Sequence, residues 1–415
     1  MTKAGKHGQI CIIGAGPGGA ATALGLAKLG LPSIVLDKHH FPRDKVCGDA
    51  ISTKALTILG RIDPALLNRI HEHAESLPIS RAVFHAPNQD ILDIPFFGVA
   101  GQLSQAPGYL MKRLHFDHVL VEALKSNPLV YLQEGTEVRR IEKHPGGYRV
   151  FAADDQLLCD TPLLIDAGGA FSPFSRQHAG MQAPDKHYAI ALRAYASNLN
   201  WESAPDALSF YFLQHLTPGY LWIFPLPGGN ANIGIGLRKD LLKRKKIKLE
   251  DWLLHNIKAH PQLADLFKHA QITHKIRGYG LPLGSRAQPI SGDHYLLVGD
   301  AAHLIDPLTG EGIGNAIYSG HLAAQMAAAA VQQQNFTRGY LQQYDRNVAR
   351  ILGSEMRLSY RLQQLLAYPR FCNLLVAFIN SRKGLKDLIS RMPADFDIRQ
   401  ALGNPTFWIK NIFLK

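Results

Sequence analysis

Cysteine is scarce in this 415-residue chain: there are four, at Cys11, Cys47, Cys159 and Cys372, with no CxxC spacing among them. That argues against a disulfide framework or a zinc site and suits a reducing compartment. No uninterrupted apolar run reaches the roughly 18 residues of a membrane span. No internal repeat or low-complexity tract is present. Acidic residues are the minority, 33 against 45 Lys and Arg, giving a formal net charge of +12. No aromatic platform interleaves with that charge, which argues against nucleic acid as a partner. The chain as a whole is 46% hydrophobic and 19% charged. That composition suits a globular enzyme, and the length makes two domains the default.

Lysines before the first apolar stretch imitate a secretion signal, but the glycine turn inside that stretch accounts for it better. The stretch reads Ile10-Cys11-Ile12-Ile13-Gly14-Ala15-Gly16-Pro17-Gly18-Gly19. Residues 10–13 read as a buried parallel strand. Gly14 permits a tight turn, Gly16 clears the approach of a pyrophosphate, and Gly19 lets the next helix pack on the strand. A helix from about Gly18 to Leu29 then aims its N-terminus at the phosphates. A second strand, Ser33 to Leu36, ends in Asp37, close to the spacing of a ribose-binding acid. Strand, turn, helix, strand and acid in this order predict dinucleotide binding.

Much later the chain reads Val298-Gly299-Asp300-Ala301-Ala302-His303, and then Asp306-Pro307-Leu308-Thr309-Gly310-Glu311-Gly312-Ile313-Gly314-Asn315. A strand, Tyr295 to Val298, delivers Asp300, an acid able to hold a ribityl chain. The Gly312 to Asn315 region opens an Ala-rich helix to about Gln333, whose N-terminal amides can stabilise negative charge on a reduced flavin. Together the two motifs indicate FAD and redox chemistry.

The expected fold class is α/β: a Rossmann-type FAD-binding domain with an antiparallel-sheet substrate domain and a helical C-terminal extension. Residues 1–75, 102–185 and 285–345 form the discontinuous FAD-binding domain, 76–101 and 186–284 the substrate domain, and 346–415 the helical region. Expected elements include a helix from Met111 to Leu124, strands near Leu129 to Leu132 and Leu163 to Asp166, and a hairpin-like pair from Glu137 to Leu158. On the substrate side they include strands Ser209 to Leu213 and Asn232 to Leu237.

Four segments carry a family resemblance. They are Phe41-Pro42-Arg43-Asp44-Lys45-Val46-Cys47-Gly48-Asp49; Arg113-Leu114-His115-Phe116-Asp117; Tyr220-Leu221-Trp222-Ile223-Phe224-Pro225 with the later Gly234-Ile235-Gly236; and Asp306 to Gly312. The chain resembles the geranylgeranyl reductase branch of the p-hydroxybenzoate hydroxylase-like flavoproteins. The resemblance implies that Gly14, Gly16, Gly19 and Asp37 hold the ADP half of FAD, with Pro17, Lys38, Arg43 and Val138 among the cofactor contacts. It implies that Arg113 contacts the pyrophosphate or ribityl region, that Asp300 binds the ribityl hydroxyls, and that Gly312 and Ile313 lie by the isoalloxazine. Tyr220, Trp222, Phe224 and Pro225 would line an apolar substrate pocket.

The implied reaction is reduction of C=C bonds in an isoprenoid lipid or related apolar substrate, which takes a hydride from flavin N5 and a proton from an acid or water. No residue is singled out as the acid; Cys47, Asp49, Tyr220 and His303 are candidates. The rival is an FAD-dependent monooxygenase of an apolar or aromatic substrate, since His303 and Gly314-Asn315 are hydroxylase-like. So is the stretch Asp166 to Arg176, but for Ala-Gly where hydroxylases have Ala-Asp. A flavin-dependent halogenase is third, its Trp-x-Trp-x-Ile-Pro motif being absent. No second dinucleotide turn is evident, so NAD(P)H binds transiently or an electron-donor protein serves. Two basic clusters remain: Lys243 to Lys246 with Lys248, and the tail after Tyr368. The tail carries Phe371, Leu374, Leu375, Phe378, Leu385, Leu388 and Ile389 at helical spacing. They admit either peripheral contact with an anionic membrane or a helix packed on the body with its basic face in water. The expected location is cytoplasmic, with membrane attachment left open.

Overall fold

The computed structural model describes residues 10–96, 106–201 and 205–391. Expectations for 97–101 and for the tail beyond Arg391 lie outside them. Ile10–Ile13 is apolar on both faces because it sits inside a six-stranded sheet. It pairs in parallel with Ser33–Leu36 on one side and Leu164–Asp166 on the other. Val130–Gln133 and Tyr295–Leu297 extend the parallel array, and Ser291–Gly292 closes one edge antiparallel. All the parallel strands therefore end at one edge. Gly14, Asp37 and Asp300 lie on the loops leaving it, where an open α/β sheet binds its ligand.

The helices Pro17–Lys28 and Ile313–Gln332 lie together against this sheet. Small residues let them approach: Ala20, Ala21 and Ala23 on one and Ala316, Ala323 and Ala324 on the other are all buried. The helix expected from Met111 runs Arg113–Ser126.

The expected hairpin from Glu137 to Leu158 is instead a three-stranded antiparallel sheet, Arg140–His144, Gly147–Phe151 and Leu157–Thr161. A larger sheet of eight strands has Tyr188–Ser197, Asn230–Arg238, Tyr220–Leu226, Ala207–Tyr211, Arg81–His85 and Ile91–Pro95 side by side. One of its junctions departs from the antiparallel expectation: Ala207–Tyr211 runs parallel to Arg81–His85. Leu77–Ile79 joins neither large sheet; it pairs with Gly108–Leu110, which also pairs with Ala50–Ile51.

Period-two alternation divides the eight-stranded sheet's faces. Leu221 and Ile223 pack with Leu253 and Ile257 of the helix Leu249–Ala259. Trp222 and Phe224 pack on the opposite face with Tyr195, Ile79 and Leu110. The C-terminal helices Arg338–Leu365, Pro369–Asn380 and Lys383–Arg391 follow. Cys372, Val376, Ile379 and Leu385 pack on Leu92, Ile94 and Phe212 of the sheet. Among the described residues no helix is long and apolar enough to cross a membrane.

Candidate active site

The glycine turn comes first. Gly14 has φ +96°, and a Cβ on Gly19 would stand 1.8 Å from the Gly14 carbonyl oxygen. Gly16 is different: its nearest neighbour would be Arg43 Nη2 at 3.8 Å, so the space above it is open. The helix starting at Pro17 has no side-chain cap, so its first N–H groups point unsatisfied into that space. Asp37 is buried beside the turn, accepting from Ala15 N at 2.8 Å and His39 N at 2.9 Å. Arg43 reaches Asp117 with Nη1 at 2.9 Å, while its buried Nε has no hydrogen-bond partner. A buried donor left unpaired is costly. Open space, free amides and an unpaired guanidinium N–H together fit a diphosphate.

The expected cofactor contacts are not all placed alike. Arg113 is buried and spends its guanidinium on Asp117, at 2.6 and 2.7 Å. Lys38 is exposed. Val138 packs against the main core and does not line the cavity described next.

A cavity of about 700 Å³ is lined by Pro17, Lys45, Cys47, Asp49, Arg113, Asp300, Gly312 and Ile313, then by Tyr220, Trp222 and Phe224, and farther on by Phe212, Leu366, Cys372 and Ile379. Asp300 meets the Lys45 ammonium at 3.4 Å. Burial alone would lower that ammonium's pKa; the Asp300 carboxylate, with Tyr279 and Cys47, more than offsets this and holds it raised. The helix behind Gly312 also starts without a side-chain cap.

Of the expected catalytic and substrate-pocket residues, two are not in this wall. His303 is buried, with its ring 3.3 Å from Gln288 and its pKa pushed down to about 4 by burial. It does not line the cavity. Pro225 falls out for a geometric reason: one residue after Phe224, it points to the sheet face shared by Leu221 and Ile223.

A polar knot is built into the cavity wall. Trp222 Nε1 donates to Asn232 Oδ1 at 2.9 Å. Asn232 Nδ2 donates to the Cys47 carbonyl at 2.7 Å and to Asp49 Oδ2 at 2.8 Å. Asp49, at φ 64° and 0% exposed, also accepts from the Tyr195 hydroxyl at 2.8 Å and Arg113 N at 3.2 Å. Burial raises its pKa to about 6 although these donors pull it down. Burial likewise raises the Cys47 thiol and the Tyr220 phenol, so both keep their protons at neutral pH. The Tyr220 hydroxyl donates to the Thr309 carbonyl.

The late motif has its own internal logic. Asp306 Oδ1 accepts from Leu308 N at 2.9 Å and Thr309 N at 2.8 Å, an Asx-type turn that shapes the loop before Gly312. Buried Lys54 donates to Asn315 at 2.9 Å and Glu355 at 2.7 Å, tying the C-terminal helix to this corner. Sequence reasoning missed Tyr195, Asn232, Lys54 and Glu355, which meet only through long-range folding. Lys45 stood inside the Phe41 to Asp49 motif and was within reach.

Known proteins share this architecture. The chain is 28% identical over 399 residues to a menaquinone reductase of Mycolicibacterium smegmatis, covering 88% of this chain and 85% of that protein. It is 28% identical over 347 residues to a digeranylgeranylglycerophospholipid reductase of Thermoplasma acidophilum, covering 81% and 82%. Among solved structures, a geranylgeranyl bacteriochlorophyll reductase-like protein of Thermoplasma acidophilum superposes with a TM-score of 0.78 at 23% identity, covering 99% of this chain and 100% of that one. A flavin-dependent brominase superposes with a TM-score of 0.76 at 20% identity, covering 96% and 94%. The FAD binding domain family matches residues 7–353. With most of its length matched in this way, the chain belongs to the FAD binding domain family.

Proposed function

We propose that the protein is an FAD-dependent reductase that saturates carbon–carbon double bonds in an isoprenoid chain carried by a lipid or a quinone. The observation that carries this is the cavity. It runs from Asp300 and Gly312 to a wall of Phe212, Leu366, Cys372 and Ile379, giving a long apolar substrate a place beside the redox site. The names of the similar reductases support the same reading.

Gly14, Gly16, Pro17, Gly19, Asp37 and Arg43 would hold the ADP half of FAD. Asp300, Lys45, Gly312 and Ile313 would hold the flavin half. Bound FAD, once reduced, supplies a hydride equivalent. The protein's own contribution is shape and protons. Trp222 and Phe224 exclude water from the apolar stretch. Cys47 and Tyr220 line it and each keeps a proton, on Sγ and Oη. Asp49, buried in the same wall, orders the Cys47 carbonyl and the Trp222 indole through Asn232. Reducing equivalents come from NAD(P)H or from an electron-donor protein. A bilayer-borne substrate also calls for a cytoplasmic enzyme in peripheral contact with a membrane.

The test is the product's mass after incubation with a geranylgeranylated glycerophospholipid and an excess of reductant. Two added hydrogens per double bond, formed without air, fit the reductase. One added oxygen atom, formed only in air, would assign a monooxygenase instead.

A further inference from the structure

Among the described residues, most large exposed apolar side chains gather in one corner. Leu365, Tyr368, Leu374 and Phe378 are 44%, 68%, 69% and 38% exposed. Ile91, 45% exposed, lies beside them, its carbonyl accepting from Asn380 at 2.9 Å. The helix Pro369–Asn380 shows why this is unusual. Its inner stripe, Cys372, Val376 and Ile379, is buried and lines the cavity. Its outer stripe follows the same helical period through Arg370, Leu374, Ala377 and Phe378, and all four are exposed. Surface helices normally turn polar residues outward. This one turns Leu374, Ala377 and Phe378 outward beside Arg370, and contiguous exposed apolar area marks an interaction site.

The charge that the C-terminal helices bring to the patch is mostly positive, with exposed Asp90 beside Ile91 an acid on the sheet side. Between residues 365 and 391 the chain carries Arg370, Arg382, Lys383, Lys386 and Arg391 against a single acid, Asp387. Arg382 lies over the Phe378 ring at 5.3 Å. Apolar side chains with an excess of cations beside them complement the interface of an anionic bilayer, where apolar groups enter the acyl boundary and cations meet headgroup phosphates.

We infer that Leu365, Tyr368, Leu374, Phe378 and Ile91 form a docking surface for an anionic lipid bilayer, placed on the outer face of the helix whose inner face walls the cavity. A substrate held in the bilayer then reaches the cavity past this helix without crossing water. Only that last point rests on the proposed reductase activity; the docking itself does not.

The experiment is flotation of the full-length, FAD-loaded protein with vesicles of phosphatidylcholine containing one-third phosphatidylglycerol, and with pure phosphatidylcholine. The protein should float with the anionic vesicles and much less with the neutral ones, and salt should release it. Tyr368→Asp with Leu374→Asp should cut flotation roughly tenfold. Both positions are exposed, and Asp suits the helix N-cap that Tyr368 occupies. Circular dichroism and the bound-flavin spectrum, unchanged in the variant, would show that it folds. Wild-type protein that stays with the unbound fraction, or a folded variant that floats as well as wild type, would overturn the inference. So would a wild-type dimer that does not float and that the two substitutions convert to monomer, since the patch would then serve a second copy. Reduction of detergent-dispersed substrate in the same preparations separates the two readings. Wild-type protein that reduces substrate but does not float sinks only the docking surface, and flotation without reduction of any isoprenoid sinks only the reductase.

Discussion

Gly16 and Gly19 stand three residues apart and answer to different demands. A Cβ at Gly19 would collide with the protein's own Gly14 carbonyl; one at Gly16 would enter empty space. Gly16→Ala should therefore leave the apoprotein's thermal midpoint unchanged while weakening FAD binding by tenfold or more, as read by flavin fluorescence titration. Gly19→Ala should lower the midpoint itself. Asp49 gives a prediction with a sign. Its carboxyl has a folded pKa of about 6 against an ordinary 3.8, because burial disfavours the charged form. The folded state therefore binds more protons than the unfolded state between those values, and the contribution of Asp49 to stability falls as pH rises through that window. Asp49→Asn removes this term. Urea unfolding should show wild type losing about 2 kcal/mol relative to the variant between pH 4 and pH 7; a constant difference would refute the assignment. The sequence made Asp49 legible as a candidate through its motif. Its partners Tyr195 and Asn232, 146 and 183 residues away, were not legible, because no local pattern encodes such pairings.

Elements that obey one strong period were easy to read. The buried parallel strands and the helices Pro17–Lys28 and Ile313–Gln332 fell within a residue or two of expectation. The sheet from Arg140 to Thr161 was misread as two strands because its second turn uses Asp154 and Asp155, the latter at φ 57°, with no glycine or proline to announce it. Pro225 was misplaced because a motif was read as a block when its strand alternates. That alternation makes a test. Trp222→Ala should raise KM for an apolar substrate several-fold and leave FAD affinity unchanged. Ile223→Ala, on the other face, should cost about 2–4 kcal/mol of stability with KM untouched. Equal effects of both changes on KM would mean that the cavity face is misassigned.

At the scale of the molecule, the C-terminal helices complete a site that begins at residue 10. Their amphipathic period was visible in the sequence. That they wall the cavity was not, because Pro369–Asn380 carries apolar residues on both faces. Lys54 and Glu355 anchor this extension, with side chains only 4% and 16% exposed. Glu355→Gln would leave the buried Lys54 ammonium without its counter-charge and should cost roughly 3 kcal/mol in denaturant unfolding. The central claim is that reduced flavin and an isoprenoid chain react directly in this cavity. It is tested by reducing the FAD-loaded protein with dithionite under strict anaerobiosis, adding a geranylgeranylated lipid and following flavin absorbance. The oxidised spectrum should return without oxygen as product with two more hydrogens per bond accumulates. A flavin that stays reduced until air is admitted, with oxygen then appearing in the product, would contradict it.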